Sequence, residues 1–133
     1  MECTELSPAG NFEGWEPNRL EELQSGQISS EAGQQLLHES DETRLWLVRL
    51  EHKQRLGFRN TKYQIKTMSQ TDGFAVSHYG NGQICLIEFK KDQMQRQEVL
   101  GLCDKVWDLE NIGSEPLEFI LIEYLMSECV LSY

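Results

Sequence analysis

Three polar residues have the types and spacing to do chemistry together. Asp72 sits in the turn Thr71-Asp72-Gly73, and Glu88 and Lys90 close the run Leu86-Ile87-Glu88-Phe89-Lys90. Two carboxylates brought close can hold Mg²⁺, which polarises a phosphate and lowers the pKa of an attacking water. A neighbouring ammonium can orient that water or stabilise developing charge, and Glu88 and Lys90, two apart on a strand, share a face as this requires. Other candidates fall short. His38, His52 and His78 have no partners at metal-ligand spacing. The cysteines at 3, 85, 103 and 129 contain no Cys-x-x-Cys pair, so three read as small core hydrophobes and Cys3 as a tail thiol, with no disulfide required. Gly80-Asn81-Gly82 lacks the helix start and third glycine of a phosphate loop, and serine nucleophile motifs are absent. Trp15, Trp46 and Trp107 are spread along the chain, as core or interface packing residues are.

The elements that must position these groups can be read in order. Residues 1–14, with Pro8, Gly10 and Gly14, form a loose arm. A short helix starts at Pro17, carries Leu20 and Leu23 on one face and ends near Gly26. Ser29 caps a second helix with Ala32 and Leu36 at helical spacing, up to about Glu39. Residues 44–51 fit a helix or a strand with two apolar faces, and helix is the preferred reading. Beyond Gly57, Tyr63, Ile65 and Thr67 alternate with polar residues as a strand, and Phe74–Tyr79 and Gln83–Phe89 are strands joined at Gly80-Asn81-Gly82. Asp92 then caps a helix with Gln95 as its capping-box partner and Val99, Leu102, Cys103, Val106 and Trp107 as its buried stripe. The last segment, Leu117 to Met126, is apolar nearly all round and is either a buried strand or a buried helix. The expected fold class is α+β: N-terminal helices, a small mainly antiparallel sheet of three or four strands, a packed helix and a buried C-terminal segment. The arm at 1–14 precedes a single domain at 15–133, consistent with 133 residues.

This order, with an acid opening one strand and Glu88-x-Lys90 closing the next before a helix, resembles the core of the PD-(D/E)XK nuclease superfamily over residues 43–125. The resemblance implies a Mg²⁺-dependent phosphodiesterase, with Asp72 and Glu88 as metal ligands and Lys90 assisting catalysis. Gln95 and Gln97 are then candidate substrate contacts. Two departures stand out: Thr71 precedes Asp72 where the family has proline, and Gly73 follows where a larger residue continues a strand more readily. The hairpin register decides whether the groups meet. A two-residue turn pairs Phe74 with Phe89 and puts Asp72 on the face opposite Glu88. A three-residue loop with Gly82 left-handed pairs Asp72 with Lys90 and Phe74 with Glu88. Hydrophobic pairing favours the first register.

Charge is unevenly spread over a net of −10: residues 1–42 hold ten acids and one base, residues 43–105 six acids and eleven bases, and residues 106–133 six acids and no base. The leading functional expectation is a small, acidic, non-catalytic interaction domain of regulatory type, such as an adaptor, inhibitor, immunity factor or chaperone. It needs no cofactor, and Glu21, Glu22 and Glu31 would meet a basic partner surface. Its apolar last segment would complete the core or form a homodimer seam. The nuclease, or an inactive relative, is the alternative. A third reading is a nucleic-acid-binding regulator using the cationic stretch 44–66 through Arg49, Lys53, Arg55, Arg59 and Lys62. No window approaches the roughly 18 apolar residues of a membrane span, and the N-terminus carries no secretory signal. A cytoplasmic protein without a membrane partner is expected.

Overall fold

The computed structural model describes residues 4–96 and 106–128. Among these are ten strands and one helix: β1 (Thr4–Ser7), α1 (Pro17–Gln24), β2 (Gln35–Glu39), β3 (Thr43–Leu50), β4 (Arg59–Asn60), β5 (Tyr63–Ser69), β6 (Gly73–Tyr79), β7 (Ile84–Phe89), β8 (Met94–Arg96), β9 (Val106–Asn111) and β10 (Leu117–Glu128). They form two five-stranded sheets, ordered β1-β7-β6-β9-β4 and β2-β3-β10-β5-β8. The strand pairings within both sheets are antiparallel. Chain neighbours β5 and β6 lie in different sheets, and β10 returns to sit between β3 and β5.

The period-2 pattern explains why the sheets face each other. Trp46, Val48 and Leu50 of β3, Ile65 of β5 and Leu117, Phe119 and Leu121 of β10 point inward from the second sheet, and Ala75, Ile87, Phe89, Trp107 and Leu109 from the first; together they make one buried cluster. Phe89 and Phe119 stack across the sheets, ring centroids 5.1 Å apart at 17°. Gly33 lets the chain pass Trp46 closely, because a Cβ there would lie 2.4 Å from the Trp46 Cβ.

This architecture overturns the expected α+β class. The helix at 17–26 is present as α1, with proline in its first turn and Gly26 left-handed at φ +76°. The helix expected from Ser29 is instead a loop leading into β2, which pairs with β3. Of residues 44–51, read as helix, 44–50 are strand, since two apolar faces suit a strand paired on both sides better than a helix with one stripe. Asp92 does not cap a helix; β8 follows it and pairs with β5. Val106 and Trp107, placed on that helix's stripe, belong to β9, while residues 97–105 lie outside the described residues. Cys85, read as a core hydrophobe, is disulfide-bonded; Cys3, Cys103 and Cys129 lie outside the described residues. Among the described residues no helix is long and apolar enough to cross a membrane.

Candidate functional site

The hairpin that carries Asp72, Glu88 and Lys90 takes the three-residue loop. Gly82 is left-handed at φ +98°, Tyr79 N–H donates to Gln83 O at 2.9 Å, and Gly73 pairs with Phe89 and Phe74 with Glu88. Hydrophobic pairing had favoured the other register. It loses because small Ala75 and Ser77 are the residues that fit inside, opposite the aromatics of the second sheet, and Phe74 is left 45% exposed. Continued by one residue, this register sets Asp72 beside Lys90 on the face that carries Glu88. Asp72 is exposed, and its Oδ1 accepts the Lys91 N–H at 2.8 Å. Gln95 lies in β8, not in a helix, and Gln97 lies outside the described residues.

The acids and bases expected to meet partners are dispersed. Glu22 holds Arg55 at 3.0 Å, and Glu21 and Glu31 are exposed. Arg55 also binds Asp108, and Arg59 donates to Ser29 Oγ and to the carbonyls of Glu31, Gly33 and Leu56. Arg49 pairs with Glu51 and Glu118. Lys53 and Lys62 are exposed. Arg55 and Arg59 therefore spend their donors inside the fold, and no continuous basic strip forms from the five.

The interior between the sheets has little chemistry. Its polar side chains are tied to neighbours: Ser77 Oγ donates to Asp108 O at 2.9 Å, and Asn111 Nδ2 donates to the carbonyls of Leu50 and Glu115 at 2.9 Å. The buried carboxylate of Glu123 accepts the Trp46 indole N–H at 2.7 Å, with Arg44 Nη1 3.5 Å away. Beside this pair opens a cleft of about 380 Å³ lined by residues that include Gln34, Leu36, Arg44 and Trp46.

A different feature distinguishes the second sheet. An antiparallel sheet with water on one face normally alternates apolar-in and polar-out. Here β3 and β10 are apolar on both sides. Leu45, Leu47, Ile120, Ile122, Tyr124 and Met68 of β5 all point outward and are half-buried. Ile120 sits between Leu47 and Met68, and Ile122 between Leu45 and Lys66. The Lys66 ammonium lies 5.6 Å from the Tyr124 ring centre, and Arg49 and Glu118 close one end of the patch at 3.5 Å. The all-round apolarity of 117–126 is plain in the sequence, whereas which half of it faces outward is set only by the pairing of β10 with β3 and β5.

No protein-family model matches the chain, and a search of curated proteins finds no match. Solved structures are similar in fold. A cupin domain from Bordetella pertussis Tohama I superposes with a TM-score of 0.59 at 10% identity, over 67% of this chain and 88% of that one. A Klebsiella pneumoniae protein with a double-stranded β-helix domain gives 0.53 at 18% identity, over 67% and 72%. A cupin superfamily protein from Desulfitobacterium hafniense gives 0.50 at 13% identity, over 90% and 99%. The fold is thus a cupin-type double-stranded β-helix, and the PD-(D/E)XK resemblance is incorrect: among the described residues, strand β8 follows Glu88-x-Lys90 where that core has a helix, and both flanking strands lie in a double-sheet barrel. The Mg²⁺-nuclease expectation for Asp72, Glu88 and Lys90 falls with that fold, and so does the acidic regulatory adaptor as the account of what the domain is. A transition-metal site needs several imidazoles or carboxylates converging on one point. Among the described residues no three His, Cys, Asp or Glu side chains do so. His38 and His52 are exposed, and His78 faces away from the interior toward α1. The described side chains do not fit a metal ion.

Proposed function

We propose that this chain is a cupin-type assembly domain: its interior serves packing, and the outer face of its second sheet binds a second copy of the chain. One observation carries the reading, the apolarity of β3 and β10 on both faces, which is the pattern of a sheet covered on both sides. The patch has the anatomy of an interface, with an apolar centre around Ile120 and a polar rim of Arg49, Glu51, Lys66 and Glu118. That rim holds equal numbers of each sign within a chain of net charge −10. A locally neutral rim lets two copies meet without the repulsion that the rest of the surface carries, and a two-fold axis through the patch makes it self-complementary.

Light scattering on the purified chain tests the proposal. The wild type is expected to approach twice 15.4 kDa with rising concentration, with a Kd between about 1 and 100 μM once association costs are set against a small apolar face. Ile120→Glu should give a folded monomer, whereas Phe74→Glu on the other sheet should leave association unchanged. A wild type that stays monomeric at several hundred micromolar, or an Ile120→Glu variant that still dimerises, rejects this face.

A further inference from the structure

Residues 12–28 cross the outer face of the first sheet as a strap. Trp15 is buried there with Phe58 and Ile84, and Phe12, Leu20, Leu23, Ile28, Val76 and Val106 pack around them. Trp15 stacks on Phe58 at 6.1 Å and meets the His78 ring edge-on at 5.0 Å. Two guanidinium clamps fasten α1 to the sheet. Arg19 of α1, only 4% exposed, reaches Glu110 Oε1 of β9 at 2.6 Å and lies 2.7 Å from His78 Nε2 and 3.0 Å from Nδ1 of β6. Arg55, in the loop before β4, reaches back to Glu22 of α1 at 3.0 Å and binds Asp108 of β9.

A guanidinium has only donors, so His78 can receive Arg19 only through a bare ring nitrogen. Protonated, the imidazole would set a donor against a donor and a cation against a cation. We infer that the strap is proton-released: protonation of His78 expels Arg19 and opens α1 from the first sheet. The charged groups nearest the ring enter this balance, with Glu22 of α1 acting through its ion pair with Arg55. From α1 comes Arg19; from the loop before β4, Arg55; from β9, Asp108, whose Oδ2 lies 3.9 Å from Arg19 Nε, and Glu110. From β7 the register neighbour is uncharged Ile84.

The direction of the effect follows from the two states of the ring. Closed, burial first and then Arg19 and Arg55 hold His78 down to about 3; open, the ring returns to its ordinary value near 6.5. A base with a lowered pKa stabilises the closed strap fully above about 6.5 and progressively less as pH falls from there toward 3. His78 should therefore lower the closed-to-open ratio about 50-fold between pH 6.5 and 4.5, the fall approaching tenfold per pH unit once the open-state ring is mostly protonated. Asp108 acts oppositely, because burial holds its carboxyl above the usual range and so favours closure in acid. Replacing the histidine isolates its contribution.

Hydrogen exchange of the α1 amides, corrected for intrinsic rates and followed from pH 7.5 to 4.5, is the test. Relative to His78→Gln, which is neutral and able to accept from Arg19, the wild type should lose about 50-fold of α1 protection between pH 6.5 and 4.5 while β10 keeps its own. Protection that does not change with pH, the same loss in His78→Gln, or simultaneous loss in β10 overturns the strap. Should His78→Gln fail to fold, the proton NMR titration of His78 in the wild type decides. Titration coincident with α1 opening supports the inference, and titration near 6.5 with α1 still protected rejects it.

Discussion

Phe119→Ala probes whether the interior is filled. Phe119 is fully buried near the start of β10 and stacks on Phe89 of the facing sheet at 5.1 Å. Removing a buried phenylalanine ring costs about 3–5 kcal/mol, transfer and cavity together. The high end fits here because the ring bridges two sheets whose backbones are fixed by their own ladders and cannot collapse into the space. With about 2.1 cal/mol/K of unfolding entropy per residue, a loss of about 4 kcal/mol lowers Tm by about 14 °C in a chain of 133 residues. The assay is urea and thermal unfolding below about 1 μM, where association does not contribute. Ile120→Ala, one residue along and facing outward, is the control, and it should cost about 1 kcal/mol or less. A double-mutant cycle with Phe89→Ala should return a coupling of about 0.5–1.5 kcal/mol. A Tm change under about 4 °C for Phe119→Ala, or equal costs at 119 and 120, would refute both the strand register and the packed interior.

Two further outcomes follow from local geometry. Gly33→Ala must accommodate a methyl 2.4 Å from the Trp46 Cβ, so it should destabilise by about 1–3 kcal/mol in thermal denaturation; a neutral result would mean that the 29–34 loop does not lie against β3. Tyr79 is buried, and burial pushes its hydroxyl up to about 12. A raised folded pKa means that its contribution is intact below about 10, the unfolded value, and is lost as pH rises toward 12. Absorbance titration near 295 nm should show one tyrosine ionising about two units late, and a normal titration for every tyrosine would contradict its burial.

The parts of this fold that are legible in the sequence are those set by local chemistry. Pro17 and Gly26 bracket α1, Gly80-Asn81-Gly82 marks the β6–β7 hairpin, and the alternation from Tyr63 marks β5. Residues 44–51 and 117–126 could not be separated into helix or strand, because apolar residues on both faces erase the period that distinguishes the two. That ambiguity was itself the trace of the outer patch. Asp92 followed by Gln95 has the spacing of a capping box, yet pairing of β8 with β5 overrides this local preference. The Arg19–His78–Glu110 clamp was beyond reach because its members lie up to 91 residues apart, and only the folded topology brings them together. The nuclease resemblance failed for a related reason: an acid at a turn and a strand-ending Glu-x-Lys are short motifs, whereas the order in which strands join two sheets is a property of the whole chain.

Sedimentation equilibrium of the unaltered chain, run over a concentration series, bears most directly on the central proposal that two copies meet through β3 and β10. A mass rising from 15.4 kDa toward double that value, with the rise abolished by Ile120→Glu, is the predicted result. A constant single-chain mass across the series would contradict it.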